Sequence, residues 1–143
     1  MRYLSIDLGD KRTGLAVGDD ITRIVSPLQV IHTADPRERM NAIARAIEEQ
    51  GPGALVLGAP FNMDGSAGPA VSKARAFADQ LKQQFSLPVY LVDERLSSAQ
   101  ADEQMAQTGL THGQKKARRD ALAAAVILRN FLELGMGESP ESD

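Results

Sequence analysis

The chain has no cysteine, few aromatic residues and no long hydrophobic run among its 143 residues. The absence of cysteine excludes disulfide bonds and thiolate metal sites, and it is typical of a protein of the reducing cytoplasm. Because no run of about 18 apolar residues occurs, the sequence predicts no membrane span. We also expect no signal peptide, since Arg2 is followed by only a short apolar run before Asp7, Asp10, Lys11 and Arg12.

A large excess of charge of one sign is also lacking. The chain has 16 basic and 19 acidic residues, and three of the acids lie in the last six residues, ESPESD. Residues 1–137 are therefore neutral overall, which does not by itself indicate a nucleic-acid-binding protein. Length and composition predict one domain over residues 1–137, followed by a disordered acidic tail over residues 138–143.

The first third of the chain has the pattern of three strands. Residues 2–8 alternate apolar and polar side chains, and the turn GDKR leads into TGLAVGD, which is typical of a hairpin. A third strand is predicted within residues 21–31, where Pro27 favours an edge position or a bulge. Asp35 and Pro36 then have the types expected at the start of a helix.

Strands and helices alternate over the rest of the chain. Short apolar runs predict buried strands, and apolar residues at three- and four-residue spacing predict helices. The predicted strands span residues 54–60 and 88–94, and the predicted helices span residues 69–85, 97–109 and 115–134. Three strands followed by this alternation predict an α/β protein with a mixed sheet, in which ligands bind beyond the carboxyl ends of the strands.

Acidic residues lie in apolar or small-residue surroundings at three places. Asp7 lies near the end of the first strand, Asp93 and Glu94 end the last strand, and Asp120 lies on the inward face of the last helix. Ionised carboxylates that are buried near one another raise one another's pKa and destabilise the fold unless something neutralises them.

The sequence leaves two ways to neutralise these acids. One is pairing with basic side chains that are close in sequence, namely Lys11, Arg12, Arg95, Arg118 and Arg119. The other is a divalent cation, and an all-oxygen cluster suits Mg²⁺ or Mn²⁺. Two such ions about 3.5–4 Å apart would stabilise the attacking and leaving oxygens of a phosphodiester displacement.

Four segments, SIDLGDKRTGLAVGD, GAPFNMDGSAG, VDERLSS and RRDALAAAVIL, together resemble the YqgF family of RNase H-like nucleases, relatives of the Holliday-junction resolvases. The resemblance implies an RNase H-like α/β fold, with a mixed five-stranded sheet whose second strand is antiparallel and helices on both faces. It also implies a hydrolase of the endonuclease type, in which Asp7, Glu94 and Asp120 are the catalytic, metal-binding acids and Mg²⁺ or Mn²⁺ is the cofactor. The implied roles are resolution of branched DNA and 5′-end processing of precursor 16S ribosomal RNA.

Residues near these acids are predicted to contact the nucleic-acid backbone through positive charge or backbone N–H groups. They are Lys11, Arg12 and Thr13 in the first hairpin, Asn62 and Asp64 before the second helix, Arg95 after the last strand, and Lys115, Lys116, Arg118 and Arg119 in the last helix. With so few aromatic residues, we expect backbone contacts and shape to dominate recognition over base stacking.

The expected partner is therefore nucleic acid, as branched DNA or precursor ribosomal RNA, and not a membrane. The chain is expected to act as a monomer or a homodimer, and a two-fold symmetric junction would favour the dimer.

Two other classes of function share some of these features. A non-catalytic nucleic-acid or ribosome-assembly module could keep the same fold. An actin-like or sugar-kinase-like ATPase has a phosphate-binding hairpin similar to DLGDKRTGLAV, although such enzymes need two domains of this type. Stabilisation by Mn²⁺ would distinguish a carboxylate site from a binding module, and ATP binding would indicate the ATPase.

Overall fold

The computed structural model of the chain describes residues 1–59, 68–93 and 112–134, with side chains for residues 120–133 of the last range. The predicted helix over residues 97–109 and the predicted tail over residues 138–143 lie outside the described residues. Within the described ranges, no helix is both long enough and apolar enough to cross a bilayer.

Five strands and three helices make up the described ranges. They are β1 (Arg2–Asp7), β2 (Arg12–Asp19), β3 (Val25–His32), α1 (Pro36–Gln50), β4 (Ala54–Ala59), α2 (Pro69–Phe85), β5 (Val89–Asp93) and α3 (His112–Leu134). The predicted α/β class is confirmed. Helix α3 begins three residues before its predicted start. The prediction missed residues 112–114, HGQ, because they add no apolar side chain to the periodic pattern.

The five strands form one mixed sheet in the order β3-β2-β1-β4-β5. Strand β2 runs antiparallel to both its neighbours, while β1, β4 and β5 are parallel. On the edge strand β3, Gln29 pairs with Leu15 and Pro27 pairs with Ala16, so Leu28 is an extra residue that forms a bulge. Both predictions for Pro27, an edge position and a bulge, are confirmed.

Helices cover both faces of the sheet, as predicted. One face packs against α1 and α2 through Leu4, Ile6, Leu15, Ile31, Leu55, Leu57, Val89, Leu91, Ile43, Ala46, Ala74, Ala78 and Leu81. The other face packs against α3 through Val56, Val92, Ile127, Leu128 and Phe131, with Ala16 against Ala124 and Ala125. Successive residues of each strand alternate between these two cores, so the face of any strand residue can be read from its neighbours.

Helix α1 has the end structures that its sequence predicts. The Asp35 side chain accepts a hydrogen bond from the Arg37 backbone N–H at 2.9 Å, and Pro36 occupies the first turn. Gly51 ends the helix with φ of 58°, a left-handed conformation that glycine adopts without steric strain. These caps fix where α1 begins after β3.

Helix α3 is fixed to β1 by a buried hydrogen bond and an aromatic contact. The Ser5 hydroxyl donates to the Ala124 carbonyl at 2.6 Å, and both atoms are buried. Farther along the helix, the Tyr3 and Phe131 rings have centroids 5.4 Å apart. Because Ser5 follows Tyr3 while Ala124 precedes Phe131, α3 runs antiparallel to β1.

We predict that Ser5→Ala lowers the free energy of unfolding by about 1–2 kcal/mol, because a buried hydrogen bond is lost and the Ala124 carbonyl loses a donor. Urea denaturation measures this change. Ser26→Ala, at an exposed position of β3, is the control and is expected to change stability by less than about 0.5 kcal/mol. Equal stabilities for the two variants would show that the Ser5 bond does not fix α3.

Candidate active site at the carboxyl ends of the parallel strands

Asp7 is the last residue of β1 and lies on the face of the sheet that α3 covers. Tyr3 packs in the α3 core and Ser5 bonds to α3, so the alternation along β1 places Asp7 on the same face. Its side chain is half-buried. Because β1, β4 and β5 are parallel, Asp7 lies at the edge of the sheet where all three strands end.

Asp120 reaches the same edge from the other direction. It precedes Ala124 by about one helical turn on α3, and Asp7 follows Ser5 by two residues on β1. The helix and the strand run antiparallel. The step from Ser5 to Asp7 and the step from Ala124 back to Asp120 therefore both lead away from the Ser5–Ala124 hydrogen bond toward the same end of the sheet. The two acids, 113 positions apart in the sequence, therefore lie at the same end of the sheet, where β1 ends.

Gly14 lies between the two acids. It is the direct partner of Asp7 across the antiparallel β1–β2 pair, where opposite Cα atoms are about 4.5–5.5 Å apart. A Cβ atom on Gly14 would overlap the Asp120 carbonyl group and would lie 2.9 Å from the Ala121 backbone nitrogen. The backbone of α3 thus rests directly on β2, and this contact brings Asp120 next to the end of β1.

Arg12 forms an ion pair with Asp120. The Arg12 Nε and Asp120 Oδ2 atoms are 3.3 Å apart, and the two side chains are 45% and 26% exposed. Arg12 shares the α3 face of β2 with Gly14 and Ala16. The prediction that Asp120 faces the sheet is confirmed, and so is pairing of a candidate acid with a nearby basic side chain.

The turn between β1 and β2 is held from α1. The Arg39 Nη2 atom donates to the Asp10 carbonyl at 2.9 Å. Gly9 is needed in this turn because a Cβ atom there would overlap the Arg12 carbonyl oxygen. The turn therefore has a defined path and presents the exposed Lys11 and Arg12 beside Asp7 and Asp120.

Thr13 does not face this site. Its side chain is fully buried, and it lies on the α1–α2 face of the sheet with Leu15, while Gly14 is on the Asp7 face. The hydroxyl has no hydrogen-bond partner among the described residues. A phosphate contact through the Thr13 side chain is therefore not retained, because the sheet itself separates that side chain from Asp7.

Asp93, the last residue of β5, is at the same edge but on the opposite face from Asp7. Leu91 and Val89 lie in the α1–α2 core, and alternation adds Asp93 to that series, whereas Val92 lies in the α3 core. Among the side chains that the structure describes, no three His, Cys, Asp or Glu residues are grouped closely enough to hold a metal ion.

Several predicted site residues fall where the structure is not described. Asn62, Asp64, Glu94 and Arg95 lie outside the described residues. Four basic residues lie in the described backbone of α3, but their side chains are outside the described set: Lys115, Lys116, Arg118 and Arg119. That these residues belong to the site remains a prediction from the sequence.

Gly14, Ser5 and Arg39 contribute to the site and were not identified from the sequence. The small residues Gly14, Ala16 and Gly18 are spaced by two, so they share one face of β2 and indicate close approach of a helix. Ser5 also had a usable signal, because it is a polar residue on the same strand face as Asp7. The sequence did not indicate a role for Arg39, because a lone arginine on a helix does not predict a hydrogen bond to a carbonyl that is distant in sequence.

A model of the RuvX family, described as Holliday junction resolvase, matches residues 1–134. The chain belongs to this family. The resemblance seen in the sequence is confirmed, and the actin-like ATPase alternative is not retained.

Curated relatives match over nearly the full length of both chains. A relative from Anaeromyxobacter sp. (strain Fw109-5) is 42% identical over 133 residues, which cover 93% of this chain and 97% of the relative. Another, from Chromobacterium violaceum, is 44% identical over 131 residues, which cover 91% of this chain and 96% of the relative. Both are provisionally named pre-16S rRNA nucleases.

Solved resolvase structures share the fold at much lower sequence identity. RuvC from T. thermophilus, in complex with a Holliday junction substrate, has a TM-score of 0.56 at 20% identity and covers 97% of this chain and 99% of that chain. The Fowlpox virus resolvase, in complex with Holliday junction DNA, has a TM-score of 0.62 at 13% identity and covers 95% and 99%. The RNase H-like fold predicted for this member of the RuvX family is thus confirmed.

Proposed function

We propose that this chain is a metal-dependent nuclease that hydrolyses phosphodiester bonds in structured nucleic acid. The observation that carries the proposal is that Gly14, on the face covered by α3, pairs with Asp7 and touches the backbone of Asp120. Two acids so far apart in sequence are brought together by Gly14, and a basic side chain, Arg12, lies beside them. Membership of a resolvase family supports the same activity.

The third acid of the proposed site is Glu94. Tyr90 and Val92 pack on the α3 side of β5, while Leu91 packs on the α1–α2 side. Asp93 follows Leu91 on the α1–α2 side, away from Asp7, whereas the resemblance to the family assigns the third acid to Glu94. For this reason we assign the role to Glu94 and not to Asp93.

The residues present fit a hard divalent cation. The donors are carboxylate oxygens, which Mg²⁺ and Mn²⁺ prefer, and the Asp120 side chain is 26% exposed, so a cation can reach it from solvent. Asp7, Asp120 and Glu94 would hold the metal, and we propose two cations. When bound, they would supply Lewis-acid stabilisation of the charge that develops on the scissile phosphate.

Basic residues around the acids are proposed to position the nucleic acid. Lys11 lies on the turn that Arg39 fixes and Arg12 follows it as the first residue of β2, so they can hold a phosphate close to Asp7 without a large loss of backbone freedom. Asn62, Asp64 and Arg95, together with Lys115, Lys116, Arg118 and Arg119, remain proposed backbone contacts. Contacts of this kind give binding that weakens steeply as salt concentration rises.

Precursor 16S ribosomal RNA is the substrate that we favour. The relatives named for it are 42% and 44% identical to this chain, whereas the resolvases solved with junction DNA are 20% and 13% identical. Branched DNA is the second candidate, since the family model is described as Holliday junction resolvase. Either substrate would place the chain in the cytoplasm, as a monomer or a homodimer.

The test is a side-by-side cleavage assay of precursor 16S RNA and four-way junction DNA with purified protein. Cleavage is expected in the presence of Mn²⁺ or Mg²⁺ and is expected to stop when EDTA removes the metal, with recovery after metal is added back. An unstructured RNA of the same length is the control for substrate structure. Binding to either structured substrate without any metal-dependent cleavage would instead identify a non-catalytic module.

A further inference from the structure

The Arg12–Asp120 ion pair occupies a carboxylate that the proposed function assigns to a metal. Arg12 Nε lies 3.3 Å from Asp120 Oδ2, so a guanidinium already neutralises this carboxylate. We propose that Arg12 exchanges partners. Its guanidinium pairs with Asp120 while the metal is absent, and it moves to a substrate phosphate when a cation binds Asp120. This inference rests on the proposed function.

The geometry permits the exchange. The two side chains are 45% and 26% exposed, and ion pairs with this much solvent access are weak and easily broken. The backbone of Arg12 is held in place, because it pairs across the sheet with His32 and follows the turn fixed by Arg39. Only the Arg12 side chain therefore has to move.

The charges make the exchange necessary. Asp7 and Asp120 lie on either side of Gly14, so their negative charges repel each other in the absence of a cation. The Arg12 guanidinium reduces this repulsion, but its positive charge also opposes the approach of a divalent cation to the same oxygen. Arg12 pairing and metal binding thus oppose each other at Asp120, and each must weaken the other by the same factor.

A phosphate is the natural second partner for the released side chain. The arginine guanidinium is planar, permanently charged and suited to phosphate oxygens, so hydrogen bonds to a phosphate replace the ion pair that it loses at Asp120. A substrate phosphate also adds negative charge, which compensates the positive charges of the bound cation and of Arg12. Metal and substrate would then load together, with Arg12 linking the two events.

The test measures Mn²⁺ affinity by isothermal titration calorimetry, without nucleic acid. Arg12→Gln is expected to bind Mn²⁺ about five- to tenfold more tightly than the wild type, because the competing cation is removed. Arg12→Lys, which keeps the charge but lacks the Nε donor, is expected to lie between the two. Circular dichroism verifies that each variant is folded, and the two substitutions provide two independent measurements.

Arg37→Gln is the matched control. It makes the same chemical change at an exposed position near the start of α1, and it is expected to alter Mn²⁺ affinity less than about twofold. In an Asp120→Asn background, Arg12→Gln is expected to tighten the remaining Mn²⁺ binding less than it does in the wild type, since its partner is gone.

The outcomes separate the exchange from the proposed function. Unchanged or weaker Mn²⁺ binding in folded Arg12→Gln would overturn the exchange, as would equal tightening in Arg37→Gln. If Asp120→Asn binds Mn²⁺ as tightly as the wild type, the proposed metal site itself is wrong. A purely structural role for Arg12 would lower the melting temperature without tightening metal binding.

Discussion

Asp7→Asn is expected to lower the rate of metal-dependent cleavage by about 1,000-fold or more while the protein stays folded. Asparagine has nearly the same shape as aspartate, so the pairing of residue 7 with Gly14 at the end of β1 is kept. What is lost is one negative charge and one strong oxygen ligand next to Asp120. Single-turnover cleavage with saturating Mn²⁺ measures the rate, and circular dichroism monitors the fold.

Asp79→Asn is the matched control for this prediction. Asp79 is an exposed acid on α2, on the opposite side of the sheet from Asp7. The substitution removes the same charge from the same chain, and cleavage is expected to remain within about twofold of the wild-type rate. Wild-type cleavage by Asp7→Asn would show that hydrolysis does not depend on this carboxylate, and the active-site assignment would then fail.

Gly14→Ala is expected to lower the free energy of unfolding by about 3 kcal/mol or more, and to abolish Mn²⁺ binding. The added methyl group meets the carbonyl of Asp120 and the backbone nitrogen of Ala121, which are main-chain atoms of a helix and cannot rotate away. Helix α3 must therefore shift from β2, and Asp120 shifts with it. Urea denaturation and calorimetry with Mn²⁺ measure the two effects.

Gly53→Ala is the corresponding control. A Cβ atom at Gly53 would lie 2.9 Å from Met1 Cγ, but Met1 is a flexible side chain that is 54% exposed and can move aside. We expect this variant to differ from the wild type by less than about 1 kcal/mol. If Gly14→Ala were as stable as Gly53→Ala and still bound Mn²⁺, close contact between α3 and β2 would not be what forms the site.

The elements of the fold could be predicted from the sequence because their signals are local. Alternation identified β1, the turn GDKR indicated the hairpin to β2, three- and four-residue spacing identified α2 with its observed bounds, and Pro27 indicated the bulged edge strand. Asp7 and Asp120 stood out for a related reason, since each is a charge in a pattern that otherwise packs inward. Such positions need a partner, and that need can be recognised without knowing the partner.

The contacts between elements could not be predicted, because they depend on register. Pairing of Asp7 with Gly14 places Gly14 on the face of the candidate site and turns Thr13 toward the other core, and a shift of one residue would reverse both. The sequence offered several basic partners for the acids, and only the fold selects Arg12 for Asp120. Direct contact of Gly14 with α3 likewise requires the helix to be placed first.

The bulge on β3 has a consequence for the behaviour of the protein at high concentration. Pro27 has no N–H to donate, and the extra residue Leu28 interrupts the row of backbone groups on the outer side of this strand. A strand from another molecule therefore finds no continuous ladder to join on that flank. The sheet is protected there against edge-to-edge aggregation, so open-ended growth through β3 is disfavoured even when many copies are crowded together.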